Sequence, residues 1–211
     1  MKSKADLTQE RIIQSAAQEF LEAGYQTASM RRIAAKAKVT TGAIYRYFAD
    51  KEALFHAVTK DALAALEQLY KDTSDLALTE IEKGNTYDRN RSMINLNEIF
   101  DIVYQYFDQF YLLVMYSEDT KSGSFVQHLA ETELRSTALY IEKLKTRHNS
   151  YYEVDQVGLH IVIESFISAL LETVRRRMPK AEAMQHIAFI GSYFADGWTG
   201  LEKLIVENKL E

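Results

Sequence analysis

Residues 29–51 read SMRRIAAKAKVTTGAIYRYFADK, a short basic helix, a tight break and a second short helix that closes on aromatics. Ser29 is placed to cap the first helix through its hydroxyl, and Met30, Ile33, Ala34 and Ala37 fall at helical spacing on one apolar face. That leaves Arg31, Arg32, Lys36 and Lys38 outside. After Val39, Thr40 can cap the second helix and Gly42 lets a backbone approach closely. Ala43, Ile44, Tyr45, Arg46, Tyr47 and Phe48 then complete about two turns. A helix this short is unstable alone, so Ile44 and Phe48, four residues apart, are expected to anchor it. Thr41, Tyr45 and Arg46 point the other way, with Tyr47 at the edge. Hydroxyls and a guanidinium on such a face suit phosphates and base edges. The pattern is that of a DNA-reading helix-turn-helix; the plainer alternative is a helical hairpin with a solvated basic face.

The flanks favour the first reading. Upstream, Thr8 is expected to cap a helix whose Ile12, Ile13, Ala16, Ala17, Phe20 and Leu21 form an apolar stripe, ended by Gly24. Downstream, Asp50 is positioned to cap a long helix that begins Lys51-Glu52-Ala53-Leu54-Phe55. Lys51 at that N-terminus opposes the helix dipole, a conflict that an anionic phosphate relieves.

Residues 8–55 resemble the N-terminal domain of the TetR family of bacterial transcriptional repressors. The resemblance rests on Phe20, Gly24, Tyr25, Ser29, Ile33, Ala34, Ala37, Val39, Thr40, Gly42, Ile44, Tyr45, Phe48, Lys51, Glu52 and Leu54, an ordered run over almost the whole segment. Two positions depart from the family pattern: Lys38 replaces the usual glycine before the turn, and Tyr47 a frequent histidine. The resemblance implies an all-α protein: a three-helix DNA-binding domain over 1–50 and a helical ligand-sensing and dimerisation domain over 51–211. It implies double-stranded operator DNA as partner, read in the major groove of each half of a palindrome. Thr41, Tyr45 and Arg46 are the candidates for base and phosphate contact, with Ser29, Arg31, Thr40, Tyr47 and Lys51 on the backbone.

Charge agrees once it is partitioned. The whole chain carries −5, yet residues 1–55 hold nine lysines and arginines against six acids, a net +3 that leaves −8 for the rest. An acidic body discourages wrapping by DNA and confines contact to one small face. The absence of cysteine rules out a disulfide framework. No apolar run is expected to reach the length of a membrane span, and the polar start MKSKADLTQE lacks a signal-peptide core, so the expected location is the cytoplasm.

A single proline, few glycines and long apolar stripes predict helices throughout the body, near 51–72, 93–116, 124–148, 153–177 and 180–207. Breaks are expected at Gly84-Asn85-Thr86, Ser117 to Gly123, His148-Asn149-Ser150 and Met178-Pro179. Segment 73–91 reads as one short helix from Thr79 to Lys83 at most. In the last two helices, Val157, Ile161, Ile167, Leu170, Leu171 and Val174 give one apolar face. Ile187, Ile190, Phe194, Trp198, Leu201 and Ile205 give another, with Pro179 at the first helical position. The resemblance implies that two such hairpins form a four-helix homodimer interface, with Ser168, Ala169, Gly191 and Ala195 permitting close approach.

Between head and hairpin lies an aromatic stretch: Tyr104, Tyr106, Phe107, Phe110, Tyr111, Met115 and Tyr116. Ser117, Glu118, Thr120, His128, Glu131, Glu133 and Tyr140 follow nearby, and His160 and Glu164 share one helix face. Aromatic walls with a few polar groups suit a small-molecule pocket, where the resemblance implies an inducer. Tyr104, Phe107, Phe110, Tyr111, Met115, Glu118, His128, His160 and Glu164 are its candidates. The alternative is a body filled by its own side chains, answering to a protein partner or to concentration. His160 with Glu164, plus His128 and Glu131, could supply metal ligands at helical spacing, but there is no cysteine and no HExxH pattern, and no phosphate loop or nucleophile elbow is present. No cofactor, metal or catalysis is expected. Arg175-Arg176-Arg177 reads as a cationic helix end.

Overall fold

The computed structural model describes residues 3–82 and 89–208, leaving aside the side chains of 72–95. Every regular element among them is helical: α1 (Lys4–Thr27), α2 (Met30–Lys36), α3 (Thr41–Ile44), α4 (Lys51–Glu82), α5 (Arg89–Gln105), α6 (Phe107–Tyr116), α7 (Phe125–His148), α8 (Gln156–Arg175) and α9 (Lys180–Glu207), with a 3-10 turn over Ser117–Asp119. The helices pack as two compact units. One comprises residues 1–65 with 106–125, the other 66–105 with 126–211. The first unit, the head, thus holds residues 1–50 together with the first part of α4 and all of α6.

Several boundaries differ from expectation. Helix α1 starts four residues before Thr8: Ser3 caps it in a reciprocal box with Asp6, while the Thr8 hydroxyl turns back to the Lys4 carbonyl. The expected helix 93–116 is two helices, broken at Tyr106 (φ −114°, ψ 37°). No proline or glycine marks that break, and it coincides with the change of packing unit. Helix α4 runs on to Glu82, past the expected stop at 72, and the Gly84-Asn85-Thr86 break lies outside the described residues. Pro179 caps α9 from outside the first turn instead of opening it. Helix α8 is also long and apolar enough to cross a membrane by length and composition. No uninterrupted apolar run reveals this, because His160 and Glu164 punctuate a helix that is apolar on two faces.

The head closes around Ile12, Ala16, Phe20, Ile33, Ala37, Ile44 and Leu54, all fully buried, and around an aromatic cluster. Phe55 stands edge-on to both Phe20 and Tyr25, at 5.5 and 5.2 Å between ring centroids. Gly24 breaks α1 with φ 73° and ψ 164°, and a Cβ there would sit 3.2 Å from the Tyr116 ring of α6. The position accepts only glycine, both for its backbone and for the ring beside it.

Three helix ends use the same left-handed closure without glycine: Lys38, Asn149 and Arg177 have φ of 54°, 49° and 49°. After α2 the Val39 N–H reaches back to Ala34 and the Lys38 N–H to Ala35; after α8 the Met178 N–H reaches Thr173 and the Arg177 N–H Val174. The hydrogen bonds dictate the conformation, and the side chain at each site bears its steric cost of about 1 kcal/mol. Lys38→Gly is therefore expected to leave the denaturation midpoint unchanged or raise it. Lys38→Val, β-branched in the same conformation, should lower stability by roughly 1–2 kcal/mol. Equal midpoints for the two variants in urea unfolding would refute the strained turn.

Candidate nucleic-acid interface

The basic segment is positioned by a carboxylate that its own sequence does not contain. Glu19 interrupts the buried face of α1, and its side chain is only 2% exposed. It accepts from Arg32 Nε at 2.5 Å and from the Ser29 N–H at 3.2 Å, and it pairs with Lys36 Nζ at 3.1 Å. Lys36 also reaches Glu22 at 2.5 Å. Burial pushes the Glu19 carboxyl up, but hydrogen bonds from Arg32, Lys36 and the Ser29 N–H together outweigh it and hold the group below its ordinary value. The negative charge also lies at the N-terminus of α2, where the helix dipole favours it. The signal in sequence was an acid on an apolar stripe, one turn beyond Ala16.

Arg32 and Lys36 are thus engaged by α1 and are not the free outward cations that periodicity suggested. Ser29 occupies the cap position of α2 but makes no side-chain cap; its N–H goes to Glu19. Thr40 does cap α3, its Oγ1 accepting from the Ala43 N–H at 3.1 Å, so its hydroxyl proton is left to donate outward. Helix α3 is shorter than expected, ending at Ile44, and a turn carries Tyr45 to Tyr47 before Phe48 re-enters the core. Ile44 and Phe48 are buried, the former completely. Gly42 is open, with nothing near a Cβ placed on it, so no backbone of the chain itself approaches there.

What remains outside is compact. Tyr45 is 52% exposed, Arg31 and Arg46 are exposed, and Thr41 and Tyr47 are half-buried. Among the described residues neither Arg31 nor Arg46 makes a hydrogen bond or ion pair. Lys51 differs from expectation. Its ammonium donates to the Tyr25 and Gln26 carbonyls at 2.7 and 3.1 Å and lies 4.6 Å from the centre of the Tyr25 ring. Its conflict with the α4 dipole is relieved by the end of α1, and Asp50 supplies the cap, accepting from the Ala53 N–H at 2.7 Å.

The nine candidate pocket residues do not share one unit. Phe107, Phe110, Tyr111, Met115 and Glu118 belong with the head, while Tyr104, His128, His160 and Glu164 belong with the second unit. Phe110 is buried against Phe125, Phe107 and Tyr111 are half-buried, and Met115 and Glu118 are exposed. The Tyr104 hydroxyl donates to the Met178 carbonyl at 2.8 Å, clasping the turn between α8 and α9. His128 and His160 face outward and Glu164 is half-buried, so the face that His160 and Glu164 share on α8 is partly exposed. Among the described residues no three His, Asp or Glu gather as metal ligands.

The all-helical fold and the exposed Arg46 turn define a helix-turn-helix protein. The family model for bacterial regulatory proteins of the tetR family matches residues 12–58. The HTH-type transcriptional regulator HbdR of Aromatoleum sp. (strain CIB) is 43% identical over 58 residues, which is 28% of this chain and 25% of that protein. The HTH-type transcriptional repressor AcnR of Corynebacterium glutamicum is 31% identical over 84 residues, 40% of this chain and 43% of that one. The chain thus spans about a quarter of the first relative and under half of the second. A TetR-family regulator from Syntrophomonas wolfei superposes with a TM-score of 0.56 over 89% of this chain and 94% of its own, at 19% identity, which establishes shared fold. Residues 12–58 are thus an N-terminal domain of the tetR family of bacterial regulatory proteins.

Glu19→Ala leaves two cations and an N–H without their shared acceptor and should cost about 2–3 kcal/mol at neutral pH. Because the native pKa is lowered, the contribution is fully present above the ordinary value of 4.5 and lost as pH falls through the native one. Thermal denaturation across an acid series should show the two proteins converging; a constant gap would refute the assignment.

Proposed function

We propose that the protein is a homodimeric, ligand-responsive transcriptional repressor of the cytoplasm, with residues 1–50 reading a palindromic operator and 51–211 sensing and dimerising. The observation that carries this is the exposed, unpaired Arg46 beside Tyr45, on a turn held to the core by buried Ile44 and Phe48. Tyr45, Arg46 and Thr41 contact bases and phosphates in the major groove, and Arg31, Tyr47, Thr40, Ser29 and Lys51 bear on the backbone. Two of the Lys51 donors face the α1 carbonyls, so at most one is available to a phosphate.

Dimerisation is supported by what α8 and α9 leave uncovered. Val157, Ile161 and Val162 are 70%, 59% and 51% exposed, and Phe189 and Tyr193 are 75% and 73% exposed. The opposite faces are satisfied within the subunit: Ile163, Ile167, Leu170, Leu171 and Val174 are buried, as are Ile187, Gly191 and Ala195. Gly191 and Ala195 accordingly serve packing inside the unit, and the large outward residues are the ones a second copy covers. An inducer in the second unit alters the heads through α4, which is continuous from Lys51 to Glu82. A coupling of about 1–3 kcal/mol changes operator affinity roughly 5- to 150-fold.

Fluorescence anisotropy with DNA from upstream of the protein's own gene, against random competitor, tests the reading. Arg46→Ala should weaken operator binding and reduce the slope of log affinity against log salt by about 1, with an unaltered melting temperature. Unchanged affinity removes Arg46 from the contact. Phe189→Glu should convert dimers to folded monomers in sedimentation velocity and weaken operator binding with them. A dimer that survives the charge places the interface elsewhere.

A further inference from the structure

Lys38 closes α2 with φ 54°, the left-handed conformation in which a Cβ is strained. The turn asks only for backbone. The Lys38 N–H reaches Ala35 at 3.2 Å and the Val39 N–H reaches Ala34 at 3.0 Å, and a glycine makes both bonds without strain. At Gly24 and Gly123 the chain does use glycine for a positive φ. Among the described residues Asn149 and Arg177 share the conformation with Lys38. Asparagine tolerates it, and Arg177 is engaged within the chain. Lys38 has neither reason: it is exposed, and its ammonium makes no hydrogen bond or ion pair among the described residues.

A strained residue with no partner inside the chain points outside for its cause. One internal cause is available, since a cation past the last turn of a helix complements the dipole. Lys36 already occupies that last turn, however, and the dipole of a seven-residue helix leaves little for a second cation. The surroundings favour an anion from outside. Glu19 and Glu22 draw Arg32 and Lys36 back against α1, so the free cations of this segment stand at the two ends of α2, Arg31 in its first turn and Lys38 beyond its last. The first helix of a helix-turn-helix crosses the sugar-phosphate backbone. Lys38 also stands two residues before Thr40, the cap of α3, whose hydroxyl proton is left to donate outward. A phosphate met by Thr40 is within reach of a flexible four-carbon stem two residues away.

We propose that Lys38 is a phosphate contact of the DNA-binding head, a point charge held on the turn before α3 where the backbone itself favours glycine. The proposal rests on the operator reading above and adds a backbone anchor to it. The lysine exchanges stability of the turn for affinity, so its removal moves the two in opposite directions. A lysine that only solvates the turn changes stability alone.

Fluorescence anisotropy on the full chain across a salt series tests it, with one duplex from upstream of the protein's own gene and one random duplex. Each phosphate contact adds about a threefold loss of affinity between about 50 and 200 mM salt. Lys38→Gly and Lys38→Asn, both at ease in the left-handed conformation, should weaken binding to both duplexes at the lower salt and remove that threefold factor for each subunit bound. Both variants should melt no lower than the wild type. Lys38→Arg should keep the salt dependence, and Lys60→Gln, which removes an exposed lysine of α4, should leave it unchanged. Unaltered salt dependence in the two neutral variants, or a change no larger than Lys60→Gln produces, overturns the contact. A wild type that binds both duplexes equally overturns the operator reading alone, because Lys38 is read on either duplex. A wild type that binds neither overturns both.

Discussion

The Glu19 carboxylate is the constraint on which the geometry of the head depends. A charge with 2% exposure is tolerable only when several donors meet it at once, and here Arg32, Lys36 and the Ser29 N–H come from the segment that must be held in place. Two cations are drawn back against α1 as a result. The division of labour within the basic segment follows from that: Arg32 and Lys36 build the platform, and Arg31 and Arg46 stay free upon it.

The same economy runs along the start of α4. Asp50 caps the helix, Lys51 closes over the carbonyls that end α1, and Glu52 accepts from the Lys121 N–H at 2.8 Å. His56 Nε2 meets Ser122 Oγ at 3.0 Å one turn further on. Gln109 of α6 accepts from the Ala62 N–H at 2.9 Å, in the middle of α4. Polar contacts on successive turns therefore bind α4 to α1, to α6 and to the 117–124 turn, within one packing unit. Packing in the head then depends on α6 as well as on the three helices that its sequence motif defines.

In the second unit the helices divide their apolar residues between inward and outward faces. Lys180 pairs with Asp101 at 2.8 Å and Tyr104 clasps Met178, so the α8–α9 turn is tied to α5. Ser150 and the Tyr151 N–H both reach the Asn208 carbonyl, which fixes the end of α9 to the turn between α7 and α8. With the inner faces complete, Val157, Ile161, Phe189 and Tyr193 remain as an apolar surface without a function inside the subunit.

The sequence by itself determined the helical class, the helix-turn-helix, its Ile44 and Phe48 anchors, the Thr40 and Asp50 caps and most breaks in the body. Each of these is a local matter of periodicity, capping or backbone preference over a few residues. Tertiary structure decided the rest. The break at Tyr106 has no local breaker, and the continuation of α4 past residue 72 has no local cause. That Lys51 is held by its own chain while Arg46 is free, or that Tyr104 is tied to Met178 while His160 faces out, depends on residues tens of positions away. Periodicity places a side chain on a face of its own helix; only packing decides whether that face meets a carboxylate, a core or water.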